Sequence, residues 1–239
     1  MDDARYQADA WNLLSQATPR ADGPVTLRAA GTVCAHHLGV DAMGVTLISA
    51  GELRVLACAT DEDAHRLENI QLVTGEGPCT EAFLRQQIVA VDDLHGAFDR
   101  WPVFAPEATQ LGIRSVVALP LSVGRTCVGA MDVYLRRPDA LTDEQRARSR
   151  AWARILTLMA IDEHPQILHV EAGAARPGPQ GYPPAVHQAA GILAVKDGST
   201  PDEALVRLRA HAYAHAIPLG EAAQQVIEGR HEPEGPDTH

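Results

Sequence analysis

The chain has 239 residues, of which 46% are hydrophobic and 21% charged, and this composition excludes a protein that is disordered along its whole length. Its formal net charge of −11 argues against a broad basic surface for nucleic acid and leaves room only for a local one. Four cysteines, none in a Cys-x-x-Cys pair, are too sparse for a disulfide scaffold and wrongly spaced for a zinc site.

The amino-terminal segment predicts a cytoplasmic protein. Residues 1–16 carry aspartates where a signal peptide has basic residues, and they lack an apolar stretch. No run in the sequence approaches the roughly 18–20 apolar residues that cross a bilayer. We expect segment 1–22 to form an N-terminal helix over residues 4–17, because its apolar residues follow one stripe, and Gly23-Pro24 breaks it.

The next segments predict a helix and a β-hairpin. A helix over residues 25–38, for which Gly39 suits the C-terminal cap, precedes two apolar runs. These runs, AMGVTLIS (42–49) and ELRVLACA (52–59), are joined by Ala-Gly, which is typical of a hairpin. The charged stretch DEDAHRLENIQ (61–71) that follows suits a helix or a loop.

The middle of the chain alternates short helices and strands. A glycine turn leads into a short helix over residues 79–86 and then into a strand, QIVAVDDL (87–94). A loop and a helix that ends at Gly112 come next. Two further strands around a turn are predicted within residues 113–124 and 127–137.

A long helix is predicted from Thr142 to Ile161. Thr142 and Gln145 form a Thr-x-x-Gln capping box at its start. A terminal helix beside a linker has no sheet face guaranteed to cover all of it, so we expect its apolar stripe to pair with its copy in a second chain, alone or together with the N-terminal helix. The stripe residues are Trp152, Ile155 and Met159.

These elements predict an α+β domain over residues 23–163, and the short strand connections favour an antiparallel sheet flanked by helices. Five prolines and three glycines fall within residues 162–184, which indicates a linker at 164–183. A small all-α domain at 184–230 and a disordered tail at 231–239 complete the predicted organisation.

Three sequence segments in the first domain resemble those of a known family. They are VTGEGPCTEAFLRQQIVAVDDL (73–94), RWPVFAPEATQLGIRSVVALPL (100–121) and VGAMDVY (128–134). Their order resembles that of GAF domains, over about residues 23–161. The resemblance implies a sensory or dimerisation module with a small-molecule cavity between the sheet and the middle helices. The candidate pocket residues are Cys79, Phe83, Trp101 and Phe104.

Signatures of known GAF ligands are missing from the sequence. There is no Asn-Lys-x-Phe-Asp-Glu pattern for a cyclic nucleotide, and Thr80 rather than histidine follows Cys79, unlike a bilin attachment site. Nothing singles out one histidine as a haem ligand. We therefore expect no cofactor and no metal.

Cys79 leaves one enzymatic alternative open. Free methionine sulfoxide reductases of the GAF type also have a Gly-x-Cys near this turn, and their chemistry needs a resolving thiol as well. Residues 84–118 contain no cysteine. We expect a protein that is not an enzyme, with Cys79 as a packing residue and redox sensing as a further alternative.

The C-terminal region predicts three short helices, each with one apolar face. Gly198 suits the end of the first helix. Thr200 starts the second, with Pro201 at its first position and Glu203 completing a Thr-x-x-Glu capping box. LGEAAQQVIEG (219–229) repeats the apolar stripe, so the three helices are expected to bury these faces against one another.

This unit resembles an ANTAR domain in the words QAAGILAV (188–195), STPDEALVRLRAHA (199–212) and PLGEAAQQVI (218–227). The resemblance implies an antiterminator that binds paired RNA stem-loops in nascent transcripts. Two stem-loops require two such units, so a homodimer is expected. The candidate RNA-binding residues are Lys196, Arg207, Arg209, His211 and His215.

The charge of this region leaves a second interpretation open. Residues 185–230 carry four lysines and arginines against five acidic residues. Arg207 and Arg209 could form a solvated helix face, with Arg207 paired to Glu203 one turn away. The alternative function is a protein-interaction regulator with a degenerate ANTAR domain that does not bind RNA.

Overall fold

The computed structural model of the protein describes residues 2–17, 25–49, 53–138, 141–168 and 184–230, the last range without residues 216 and 218. Most of the expected linker and the expected tail lie outside the described residues. The helices are α1 Asp2–Ala17, α2 Leu27–Leu38, α3 Glu62–Thr74, α4 Pro78–Arg85, α5 Phe104–Gln110, α6 Asp143–Glu163, α7 Pro184–Asp197, α8 Pro201–Ala214 and α9 Leu219–Ile227. The strands are β1 Ala42–Ser49, β2 Leu53–Ala59, β3 Val89–Val91, β4 Ser115–Val123 and β5 Thr126–Leu135, and two short 3-10 helices cover Leu94–Ala97 and Pro165–Leu168.

The five strands form one antiparallel sheet in the order β2-β1-β5-β4-β3. Both predicted hairpins, β1 with β2 and β4 with β5, pair as neighbours, and β5 brings them together at the centre of the sheet. The expected α+β class with an antiparallel sheet is confirmed. No helix among the described residues is both long enough and apolar enough to pass through a membrane.

The sheet has an apolar core on each face, because successive side chains of a strand point to opposite sides. On one face, Met43, Leu47 and Val133 pack with α1, α2 and α6. On the other, Ala130 and Tyr134 pack with α3, α4 and α5. Burial of each large apolar side chain stabilises the fold by roughly 1.5–3 kcal/mol. The site described below lies in the second core.

The predicted helix ends are confirmed by their local geometry. Gly39 adopts the left-handed conformation with φ 63° after α2, and its N–H donates to the last turn. Thr142 and Gln145 close the capping box of α6. Thr200 and Glu203 close the capping box of α8. Side-chain acceptors at these starts satisfy N–H groups that have no partner within the helix.

Two local expectations differ from the structure. The strand expected over residues 87–94 is limited to Val89–Val91, because Asp93 caps the following 3-10 turn. The second difference concerns the stripe of α6. Of the two alternatives for the charged stretch at 61–71, the structure has the helix, since Asp61 caps α3 by accepting from Ala64.

The stripe expected to pair with a second chain is covered by its own chain. Trp152 and Ile155 are buried in the first core, and Met159 is partly buried against it. Helices α1 and α2 pack along α6, and the Trp152 indole donates to Nδ1 of His37 at 3.0 Å. Helix α6 therefore covers the sheet of its own chain, because its apolar stripe lies in the core that the sheet shares with α1 and α2.

The three C-terminal helices pack together, as their apolar faces predict. Their shared core contains Leu193 from α7, Leu208 from α8 and Val226 from α9. One residue of the first domain, Val73 at the end of α3, is buried in the same core. The helical unit therefore packs against the first domain through α3.

Candidate functional site

Polar side chains are buried between the sheet and α3. Glu68 and Gln71 extend from α3, while Thr46, Asp132 and Tyr134 extend from β1 and β5. The Tyr134 hydroxyl lies 2.8 Å from Oε1 of Glu68 and 3.1 Å from Oδ2 of Asp132. Gln71 Nε2 donates to Oδ2 of Asp132 at 2.6 Å, and the Thr46 hydroxyl donates to Oε2 of Glu68 at 2.7 Å. We call these five residues the polar network.

Two glycines make room for the polar network. A Cβ atom at Gly44 would overlap Oε1 of Glu68. Gly77 has φ 124°, and a Cβ atom there would overlap Oε1 of Gln71. That same Gln71 oxygen accepts from the backbone N–H of Cys79 at 2.8 Å. The glycine turn before α4 thus places the start of this helix against the network.

The network holds two carboxyl groups away from water. Burial raises the pKa of Asp132 well above its usual value, and the negative charge of Glu68 raises this pKa further. Burial also raises the pKa of Glu68, against the hydrogen bonds from Thr46 and Tyr134. The two carboxyls therefore favour a bound proton or another positive charge between them, because like charges in a buried site repel.

The same atoms form a set that could receive a cation. One ligand atom each from Glu68, Cys79 and Asp132 lie within 4.8 Å of one another, and all three residues are buried. Oδ1 of Asp132 has no hydrogen-bond partner among the described residues. A small cationic group or a proton would complete the hydrogen bonding and neutralise the pair.

Three of the four predicted pocket residues lie in the same core as Tyr134 of this network. Cys79, Trp101 and Phe104 are buried in the same core, and the rings of Trp101 and Phe104 meet edge to face at 5.8 Å. Phe83, on α4, is only half-buried. Sequence reasoning did not predict the four residues whose polar side-chain groups are buried and hydrogen-bonded to one another. They are Glu68, Gln71, Asp132 and Tyr134. The acidic and amide side chains three residues apart on one helix could have indicated a shared polar face.

The candidate basic residues of the helical unit have different surroundings. Lys196 is exposed at the end of α7. Arg207 pairs with Asp197 at 2.6 Å and donates to the Ser199 hydroxyl at 2.8 Å. The salt bridge of Arg207 thus runs to the preceding helix and not to Glu203, whose carboxylate closes the capping box instead.

The two histidines of α8 stack on each other near the end of the helix. Their ring centres lie 4.1 Å apart, and Nδ1 of His215 lies 2.9 Å from the backbone oxygen of His211. His211 is buried and His215 is exposed. His215 is therefore the more accessible ring of the pair.

Arg209 is directed at the first domain. Its Nε donates to the backbone oxygen of Val73 at 2.7 Å. One turn later, the Tyr213 hydroxyl donates to Oε1 of Glu107 on α5 at 3.2 Å. Arg207 and Arg209, two residues apart, therefore face different partners, as the angle of about 200° between them on a helix predicts.

Comparison with known proteins identifies both domains. The GAF domain family matches residues 24–158, and the ANTAR domain family matches residues 184–227. No curated protein is similar enough in sequence to count as a match.

Solved structures of low sequence identity resemble the chain. One is the GAF domain of a phosphoenolpyruvate-protein phosphotransferase from Acinetobacter, with 12% identity over 69% of this chain and 96% of that chain and a TM-score of 0.47. Another is a free methionine-R-sulfoxide reductase from Neisseria meningitidis in complex with its substrate, with 21% identity over 66% of this chain and 90% of that chain and a TM-score of 0.45.

The family matches agree with the order of elements in the structure. An antiparallel sheet with helices on both faces occupies the region of the GAF match, and α7, α8 and α9 occupy that of the ANTAR match. The GAF match spans more than half of the chain. The protein is therefore a member of the GAF family with a C-terminal ANTAR domain, a domain combination of regulatory proteins.

Proposed function

We propose that the protein is a non-catalytic cytoplasmic regulator that binds RNA stem-loops through its ANTAR domain and thereby controls transcription termination. The observation that carries this proposal is the presence of a GAF domain and an ANTAR domain in one chain, in that order. The GAF domain acts as a sensor of a small molecule or as a dimeriser. A small-molecule ligand of the GAF domain would bind at the polar network and contact its buried polar groups.

The RNA-binding surface of this proposal lies on α7 and α8. Lys196 and His215 are exposed, and Arg207 and Arg209 are half-buried. With so few cations, affinity should depend on stacking and loop shape as well as on charge. The salt slope should be shallow, on the order of −0.7 for each phosphate neutralised on single strands.

The test is a gel-shift titration of tandem stem-loop RNA with the full-length protein. Arg209→Ala should weaken binding about tenfold, because hydrogen bonds to charged groups are worth roughly 1.5–3 kcal/mol. Arg230→Ala is the matched control, since it removes the same charge from the exposed end of the ANTAR domain and should change binding less than about twofold. Equal binding by wild type and Arg209→Ala, or no binding at low salt, would contradict this assignment.

A homodimer is part of the proposal, because two stem-loops require two ANTAR domains. Since the Trp152 stripe is covered, any dimer surface must use other residues. Two large apolar side chains remain exposed on the packed helices α1 and α6, namely Trp11 at 45% and Leu158 at 57%. Light scattering that gives a monomer mass at tens of micromolar protein would contradict the dimer.

A protein-interaction regulator is the second candidate. The observation that favours it is the engagement of cations within the protein, since Arg207 pairs with Asp197 and Arg209 donates to Val73. Crosslinking and sequencing of RNA bound in cells separates the two candidates. Enrichment of tandem stem-loops supports the antiterminator, and a protein partner without RNA supports the alternative.

The third candidate, a methionine sulfoxide reductase, rests on Cys79. Its thiol is 2% exposed, and both Cys34 and Cys58 lie in the core on the opposite face of the sheet. Cys127 lies near the β4–β5 turn, on the second residue of β5. A resolving thiol is thus not beside Cys79, which supports the non-catalytic proposal. Methionine sulfoxide turnover that disappears in Cys79→Ser would overturn it.

A further inference from the structure

We propose that the GAF surface formed by the end of α3 and by α5 is a docking surface for the ANTAR helix α8, and that RNA and this surface compete for α8. The inference rests on the proposed function, because it takes RNA as the competing partner. It adds an autoinhibited state that the domain order alone does not imply.

The first contact is a cation at the end of a helix. Val73 is in the last turn of α3, where backbone oxygens have no N–H partner within the helix and carry partial negative charge. Arg209 Nε donates to this Val73 oxygen at 2.7 Å. The guanidinium therefore supplies the hydrogen bond and the positive charge that a helix end lacks.

The second contact is one turn further along α8. The Tyr213 hydroxyl lies 3.2 Å from Oε1 of Glu107, and Oε2 of Glu107 is paired with Arg66 at 2.6 Å. Arg66 extends from α3 and Glu107 from α5. The docking surface thus combines two GAF helices, and it meets α8 through two residues at i and i+4.

The third contact is apolar. The Val73 side chain is 3% exposed and is buried in the core of the ANTAR helices rather than in either GAF core. Because Val73 of the GAF domain completes the core of the ANTAR helices, its burial stabilises the contact between the two domains. Separation of α8 from α3 would expose Val73 and leave Arg209 without its acceptor.

These contacts involve the residue that RNA requires in the proposed function. Arg209 is half-buried between α8 and α3, so an RNA stem-loop cannot lie against that side of α8 while it is docked. Apparent RNA affinity is then reduced by the fraction of molecules in which α8 is released. Any change that weakens the docking surface should tighten RNA binding.

Helix α3 also connects this surface to the polar network. Gln71 and Val73 are two residues apart, about 200° around the helix, so one points into the GAF core and the other towards α8. A ligand that repositions Glu68 or Gln71 would move the last turn of α3. This gives a direct mechanical route from the buried network to the RNA-binding helix.

The experiment changes the GAF side of the contact and leaves every proposed RNA contact intact. Val73→Ser removes the apolar contact. Glu107→Ala, which removes the acceptor of the Tyr213 hydroxyl from half-buried Glu107, is a second variant that keeps the fold if Val73→Ser does not. Val123→Ser, at the exposed β4–β5 turn, is the matched control. RNA affinity is measured by fluorescence anisotropy with tandem stem-loop RNA, and hydrogen exchange over residues 201–214 reports release of α8.

Both docking variants should bind RNA at least about threefold more tightly than wild type and exchange faster in α8, and the control should match wild type. Unchanged RNA affinity in both variants would overturn the competition while leaving the proposed function intact. Weaker binding would show that the contact supports RNA binding and would also overturn it. Failure of every form to bind RNA would contradict the proposed function, and the inference with it.

Discussion

Asp132 lies on the central strand of the sheet with its side chain withdrawn from water. One carboxyl oxygen accepts from Gln71, and the other has no partner among the described residues. A strand in this position is normally lined with apolar side chains, since both of its faces are covered. The buried carboxyl is therefore expected to lower the stability of the fold, because a buried charged group loses hydration that its hydrogen bonds replace only in part.

Asp132→Asn should stabilise the GAF domain at high pH. The folded-state pKa of Asp132 is raised above the usual 3.8 by burial and by Glu68, so the unfolded chain releases this proton first as the pH rises. Wild type then loses stability relative to the variant above about pH 4, and the difference should reach on the order of 1 kcal/mol at pH 8.

Urea unfolding monitored by tryptophan fluorescence measures this difference, because Trp11, Trp101 and Trp152 all precede the ANTAR domain. Asp99→Asn, which makes the same change at an exposed position, is the matched control. A variant less stable than wild type at both pH 4 and pH 8 would contradict the interpretation of Asp132 as a destabilising buried acid.

The first N–H groups of the helices are capped in two ways, by the side chain of the adjacent residue or by a side chain distant in sequence. Thr142 and Thr200 cap α6 and α8 from the adjacent residue. Helix α5 is capped from a distance, since Oε1 of Glu76 accepts from the N–H groups of Val103 and Phe104 at 2.6 and 2.9 Å. The Gly-Glu-Gly turn thus holds α5 in place as well as α4.

Thr200→Ala should lower the stability of the ANTAR domain by about 1 kcal/mol, the usual effect of losing an N-cap side chain. The variant loses both hydrogen bonds of the Thr200 hydroxyl, which accepts from Glu203 N and donates to the Glu203 carboxylate, while the Thr200 backbone N–H still donates to that carboxylate. Hydrogen exchange over residues 201–214 should become faster, and tryptophan fluorescence unfolding should not change. The reciprocal variant Thr142→Ala should show the opposite pattern.

Across the GAF domain, α6 acts as a structural support rather than as a free interface. Trp152 is completely buried, whereas Leu158 on the same helix is more than half exposed. Because α1 and α2 cover the apolar stripe, folding and the proposed dimerisation should depend on different residues of α6. The two roles can therefore be separated by mutation.

Trp152→Ala should destabilise the GAF domain by about 3–5 kcal/mol, since it leaves a large cavity and removes the donor to His37. Leu158→Ala should change the free energy of unfolding by less than about 0.5 kcal/mol and should weaken a dimer formed through α1 and α6. Chemical unfolding and light scattering measure the two effects. Dissociation by Trp152→Ala without loss of stability would contradict this separation.

Local patterns in the chain were sufficient to predict the fold class, both hairpins, the two threonine capping boxes and the order of the two domains. These features depend on residues close together in sequence, where hydrophobic period and cap chemistry act directly. Thr200, Pro201 and Glu203, for example, specify the start of α8 without any distant partner.

The polar network and the environment of Arg209 depended on tertiary structure. Glu68 is 64 residues before Asp132, and only the pairing of β1 with β5 and the packing of α3 bring their carboxyls together. Arg209 is 136 residues from Val73, and nothing near it in sequence indicates an acceptor on another domain. A pattern read along the chain contains no information about such pairs, because burial and charge interaction depend on distance in space.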